Sequence, residues 1–165
     1  MDDKEREFEL IVRSHKSTIY TVCYMFSKDY DEVQDLFQNT LINLWNGFDG
    51  FRGESKVETW IWRVALNTCL SVERKKKRRG EQVSLEMAGN LFVATDGESK
   101  QIKQLHSRIN KLEVMDRALI LLWLENMSYE DIGAIIGISV KNVSVKLVRI
   151  KQQLIEMAKK ENNAE

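Results

Sequence analysis

The stretch Thr59 to Arg79, TWIWRVALNTCLSVERKKKRR, joins an almost wholly apolar helical pattern to six cationic side chains in its last six positions. At 100° per residue, Ile61, Trp62, Val64, Ala65, Leu66, Cys69, Leu70 and Val72 cover most of the circumference. A narrow polar stripe of Arg63, Asn67, Ser71 and Arg74 remains. A helix of this kind cannot lie on a surface; other elements must enclose it. Trp60 falls on the polar stripe, so an indole stands beside an arginine and an amide just ahead of a Lys/Arg run. That combination suits a surface that stacks unpaired bases while cations hold phosphates. The alternative is a buried helix with a solvated basic end.

With 165 residues, 43% hydrophobic and 30% charged, the chain holds one ordinary domain or two small ones with modest cores. No apolar run reaches the ~18 residues of a membrane span, and the acidic start MDDKEREFE lacks the basic-then-apolar order of a signal peptide. A cytoplasmic protein without membrane insertion is expected. Cys23 and Cys69 stand far apart, so neither a CxxC pair nor a zinc quartet is available, and His15 and His106 add no ligand spacing. Both thiols read as reduced core residues, and no metal, cofactor or catalytic residue is expected. The net charge is zero, yet it is −5 over residues 1–50, +6 over 51–80, −3 over 81–100 and +2 over 101–165. A basic block between acidic ones points to a nucleic-acid face balanced by surfaces meant for another partner, or to ordinary solubility.

The rest reads as almost entirely helical. Phe8, Ile11, Val12, Ile19, Val22, Cys23 and Phe26 recur at helical spacing, giving a helix or helix pair over about residues 4–27. In DYDEVQDLFQNTLINLW, Val33, Phe37, Thr40, Leu41 and Leu44 share one side, while Asp35, Gln38, Asn39 and Ile42 point the other way. An outward isoleucine beside a carboxylate and two amides is a candidate docking patch, although one exposed isoleucine needs no explanation. The glycine-rich NGFDGFRGESK follows. Phe48 and Phe51 either plug the domain's own core or line a pocket for a flipped base near Asn67.

After the basic run, EQVSLEMAGNLFVATDGESK has no sustained period and reads as a flexible linker over residues 81–100. A linker of that length averages about 25 Å end to end and stretches to roughly 70 Å, which lets two small domains grip separated parts of one target. Beyond it, Ile109, Leu112, Ala118, Leu119, Leu122 and Trp123 build a helical pair. In NMSYEDIGAIIGISVKNVSVKLVRIKQQL, Ser128 and Asp131 have the spacing of a helix cap, with Ile132, Ile135 and Ile136 facing inward. Gly137 ends that helix, Ile138 fills the turn and Ser139 caps the next. This is a helix-turn-helix, with a plain helical hairpin as the alternative. Val143, Leu147, Ile150 and Leu154 form the buried seam of its second helix. Lys141, Ser144, Val145, Val148, Arg149 and Gln152 face away, flanked by Lys146 and Lys151. Arginine suits guanine, valine the thymine methyl, and lysine the phosphates. The expected fold is all-α: two small helical domains, residues 1–80 and 101–165, joined by the linker.

From about Phe8 to Ile155 the chain resembles an extracytoplasmic-function sigma factor, the small two-domain initiation subunit of bacterial RNA polymerase. DLFQNTLINLW is similar to that family's polymerase-binding helix at Asp35, Leu36, Gln38, Leu44 and Trp45. WIWRVALN with Arg74 resembles the segment that opens the −10 element, with Trp60, Arg63, Ala65, Asn67 and Arg74 in register. Leu112, Arg117, Ser128, Tyr129, Ile132, Gly137, Ile138, Ser139 and Val143 match the domain that reads the −35 element. Glu113, Gly133 and Ser71 depart from the usual proline, alanine and acid, and VKNVSVKLVRIK departs from the commoner GTVKSRLxRAR. The role carries over; the −35 sequence preference does not.

The resemblance implies core RNA polymerase as a partner for Asp35, Gln38, Asn39 and Ile42. It implies unpaired −10 DNA for Phe51, Trp60, Arg63, Asn67, Arg74, Lys75 and Lys76. Duplex −35 DNA falls to Ser139, Lys141, Ser144, Val145, Lys146, Val148, Arg149 and Lys151. It also implies an anti-sigma factor that covers these surfaces until a signal arrives. Two rivals stand beside it. A dimeric helix-turn-helix regulator that does not bind core polymerase would leave Asp35, Gln38 and the Trp60 stripe idle. A nuclease would need clustered carboxylates, and Asp31, Glu32 and Asp35 fall instead on one amphipathic helix beside amides.

Overall fold

The computed structural model describes residues 1–27, 29–80 and 99–164, and every regular element among them is an α-helix. The chain divides into two units, Met1–Ala88 and Gly89–Glu165. Of the linker expected over 81–100, residues 81–98 lie outside the described residues.

Three helices make the first unit. Helix α1, Asp3–Tyr24, starts at a reciprocal cap: Asp2 accepts a hydrogen bond from the Glu5 amide at 2.7 Å, and Glu5 accepts one from the Asp2 amide at 3.0 Å. It is one helix rather than a pair. Helix α2, Tyr30–Phe48, is capped by Asp29, which accepts from the Asp31 amide at 2.8 Å. Helix α3, Val57–Arg78, has no side-chain cap at its start, and Lys75, Lys76, Lys77 and Arg78 in its last turn complement the negative end of its dipole. Each helix packs on the other two. Ile19 and Val22 from α1, Val33 and Leu44 from α2, and Ile61, Ala65 and Leu66 from α3 fill the space between them, each at most 1% exposed. Cys23 and Cys69, distant in sequence, meet in this core as free thiols. The Cys69 thiol donates toward Cys23, and this with its burial holds it protonated, its pKa raised above the ordinary thiol value.

Four helices make the second unit: α4, Lys100–Ile109; α5, Val114–Leu124; α6, Tyr129–Ile136; and α7, Val140–Asn163. Helices α5, α6 and α7 pack on one another, and α4 lies on α7, where Arg108 donates to Glu161 at 2.8 Å. The turn chemistry is as read from the sequence. Ser128 accepts from the Asp131 amide at 3.1 Å, Gly137 closes α6 at φ 85°, and Ser139 accepts from the Asn142 amide at 3.2 Å. Ile132 and Ile135 of α6 are buried and Ile136 half-buried, while Val143, Leu147 and Ile150 of α7 are at most 1% exposed. A buried arginine ties α5 to the end of α4. Arg117, 1% exposed, donates through Nη2 to the carbonyls of Asn110 at 3.0 Å and Leu112 at 2.6 Å, and through Nε to that of Ile109 at 3.4 Å. Burial lowers its pKa to about 10, which still leaves it charged at neutral pH.

Candidate nucleic-acid and polymerase interfaces

Helix α3 carries four residues of the expected single-strand set on one side. Trp60, Arg63, Asn67 and Arg74 follow at spacings that keep them in line over about 21 Å of helix. Asn67, Arg74 and Lys75 are exposed. Arg63 is half-buried, and its Nε is enclosed without an acceptor. An enclosed donor lacking an acceptor is costly.

The indole expected to be open on this stripe requires correction. Trp60 is only 9% exposed, because the segment after α2 folds over the first turn of α3. Phe51 stacks on its ring at 4.8 Å between centroids and 23° between planes, and Phe48 lies 6.3 Å away. Phe48 is buried and belongs to the core, and Phe51 is half-buried. Lys76 is likewise engaged, forming an ion pair with Glu32 of α2. That ammonium, joined by the Ser27 hydroxyl, holds the Glu32 carboxyl below the usual carboxylate range. Within the basic run, Lys75 is exposed and Lys76 half-buried.

On α2, Asp35, Gln38 and Asn39 are exposed and Ile42 is 56% exposed, while Leu36 of the same stretch is buried. Gln38 and Ile42 border a shallow groove of about 340 Å³ between α1 and α2, with Lys16, Tyr20 and Phe37 along its sides. Tyr20 stacks on Phe37 at 4.2 Å and donates to Gln34 at 3.1 Å. Sequence reasoning passed over this groove. Lys16 and Tyr20 belong to α1, and nothing in their spacing marks them as neighbours of α2.

On α7, Lys141, Ser144, Val145, Val148 and Arg149 are exposed, Lys146 and Lys151 are half-buried, and Ser139 is exposed with its oxygen engaged as the helix cap. Two of the cations have unforeseen partners. Arg149 Nη2 lies 3.7 Å from Asp116 of α5, and Lys151 Nζ sits 3.9 Å above the Trp123 ring, also on α5. Arg149 is thus biased toward one margin of the exposed face, and Lys151 toward the other.

Residues 11–79 match the family model described as Sigma-70 region 2, and residues 102–154 that described as Sigma-70, region 4. The RNA polymerase sigma-H factor of Pseudomonas aeruginosa is 28% identical over 166 residues, covering 91% of this chain and 85% of that one. The ECF RNA polymerase sigma factor SigG of Mycobacterium tuberculosis is 31% identical over 78 residues, which are 47% of this chain and only 21% of that longer protein. The fold matches that of the sigma factor RpoE from Bartonella quintana, solved in complex with the anti-sigma factor NepR. The TM-score is 0.71 at 23% identity, covering 96% of this chain and 98% of that one. The chain belongs to the sigma-70 family, among its extracytoplasmic-function members.

Proposed function

We propose that this chain directs bacterial core RNA polymerase to a particular set of promoters and starts transcription there. The reading rests chiefly on α3. It keeps Asn67, Ser71 and Arg74 exposed along one stripe of a helix whose first half is otherwise largely enclosed, with exposed Lys75 beside them, in the same chain as a capped helix-turn-helix. Residues 1–80 dock on polymerase through Asp35, Gln38, Asn39 and Ile42 and take unpaired −10 bases against Phe51, which covers Trp60, and beside Arg63 and Asn67. Arg74 and Lys75 hold the phosphates, while Lys76 is paired with Glu32. Residues 101–165 hold duplex −35 DNA through α7. The chain makes and breaks no covalent bond; it captures bases whose unstacking costs a few kcal/mol each, against about 1–3 kcal/mol gained per base stacked on an aromatic ring.

This work is done beside polymerase in the cytoplasm, and no helix among the described residues is long and apolar enough to cross a membrane. The RpoE structure contains an anti-sigma protein bound to its sigma factor, and that supports the same kind of control here.

The test is transcription of fragmented genomic DNA by purified core polymerase with and without the chain, followed by mapping of RNA 5′ ends. Start sites that depend on the chain and share two upstream elements are expected. If core polymerase neither binds the chain nor gains any start site, while the chain binds duplex DNA as a dimer, it is a regulator of the other kind.

A further inference from the structure

Along the solvent side of α7, Lys141, Val145, Val148 and Gln152 succeed one another at helical intervals of four, three and four residues. They form one line opposite the buried seam of Val143, Leu147 and Ile150. The two middle positions of that line are valines, 60% and 68% exposed. One exposed valine needs no account; two at the centre of the face that a helix-turn-helix offers to DNA leave that centre unable to hydrogen-bond a base edge.

Lys141 and Gln152 stand at the two ends of the line, and beside the valines the charged groups stand at the margins, where Arg149 leans toward Asp116 and Lys151 lies over Trp123. From Val140 to Ile155 the helix holds four cations and no carboxylate, which favours a polyanion over a protein as the occupant of this face. The apolar group that a major groove displays is the 5-methyl of thymine. Val145 and Val148 are separated by about 4.5 Å along the helix axis, close to the roughly 3.4 Å between successive base pairs.

We infer that Val145 and Val148 are specificity-determining residues that cover thymine 5-methyl groups, so that the duplex element read by α7 carries thymines at two neighbouring base steps. This rests on α7 being the helix that enters the −35 duplex, as proposed above.

The experiment uses holoenzyme assembled from core polymerase and the full chain. Tight binders are selected from duplexes randomised in the upstream element and joined to a fixed, premelted downstream element, so that opening does not limit binding. Each thymine of the selected element is then replaced by deoxyuridine, which removes the methyl and leaves base pairing intact. Wild-type holoenzyme should lose about fourfold in affinity at each of two neighbouring positions. Val145→Ala and Val148→Ala should each lose the deoxyuridine penalty at one of them. Both side chains are exposed, so the variants retain the fold, which circular dichroism verifies. The inference is overturned if the selected element lacks neighbouring thymines, if deoxyuridine binds as well as thymine, or if the alanine variants keep both penalties. A holoenzyme that selects no upstream duplex sequence at all overturns the broader reading of α7 and the inference with it, a result distinct from the other three.

Discussion

Individual side chains show how far local surroundings override position on a helical wheel. Trp60 keeps the register that places it with Arg63 and Asn67, yet its ring is roofed by Phe51, because a ring at the start of a helix lies within reach of the preceding loop. Glu32 is a second such case, facing a cation 44 positions away in the chain. Its pKa is lowered in the folded state, so its contribution to stability is complete above the unfolded carboxylate pKa and fades as pH falls through the lowered value. Both partners of the pair are partly exposed, which limits the effect. Glu32→Gln should therefore cost less than about 1 kcal/mol at pH 7, and progressively less as pH falls through the lowered carboxyl pKa. Urea midpoints at pH 7 and pH 3 measure this; a difference that persisted at pH 3 would assign the loss to packing. Arg117 belongs to a costlier class. Arg117→Met leaves three carbonyls around the α4–α5 turn without their buried donor, at about 1–3 kcal/mol for each that stays unsatisfied. Denaturation of the second unit should shift to markedly lower urea while the first unit's transition stays in place.

At the scale of elements, the sequence was most legible where local chemistry decides the outcome. Ser128, Gly137 and Ser139 placed the ends of α6 and the start of α7 because caps and left-handed glycines act within one turn. The pairings Arg149 with Asp116 and Lys151 with Trp123 left no trace, since each joins two helices whose relative rotation only packing fixes. Gly133 lies between these cases. Its replacement of the usual family alanine has no visible consequence in the sequence, but here a Cβ would stand 2.6 Å from the Ile138 carbonyl oxygen, a backbone atom. Gly133→Ala would ordinarily gain about 1 kcal/mol of helix propensity. The forced shift of the turn should outweigh that gain, lowering the melting temperature of the second unit and weakening −35 duplex binding; a raised melting temperature would show that the turn yields freely. On α2 the outward set is cleanly separated from the core. Asp35→Ala should leave the fold unchanged and cut affinity for core polymerase more than tenfold, as truncation of one partner of an interfacial charge pair costs about 2–5 kcal/mol. Titration against purified core measures it, and unchanged affinity would move the docking surface off this helix.

For the molecule as a whole, the proposed function makes holding promoter DNA and opening it separable acts, because it assigns them to different helices. Asn67 lies exposed on α3, beyond the part of the stripe that Phe51 covers, and among the described residues its amide has no hydrogen-bond partner. A group that touches only an unstacked base contributes nothing before opening and its full contact afterwards. Asn67→Ala should therefore keep its helix content, bind core polymerase normally and form closed complexes at wild-type affinity, while permanganate reactivity of −10 thymines falls about tenfold or more on duplex promoter, the equivalent of one good base contact. On a promoter already unpaired over the −10 element, the cost of unstacking has been removed from the comparison. Transcription by the variant should then recover most of the wild-type rate, the remaining deficit being the lost contact itself. Arg74→Ala gives the contrasting pattern, since a phosphate contact acts wherever the strand lies along the helix: its deficit should persist on the premelted template and shrink as salt is raised. If Asn67→Ala opens duplex promoter as well as wild type does, or loses helix content, its amide serves the fold of α3 and base capture must be assigned to the Phe51 side of the stripe.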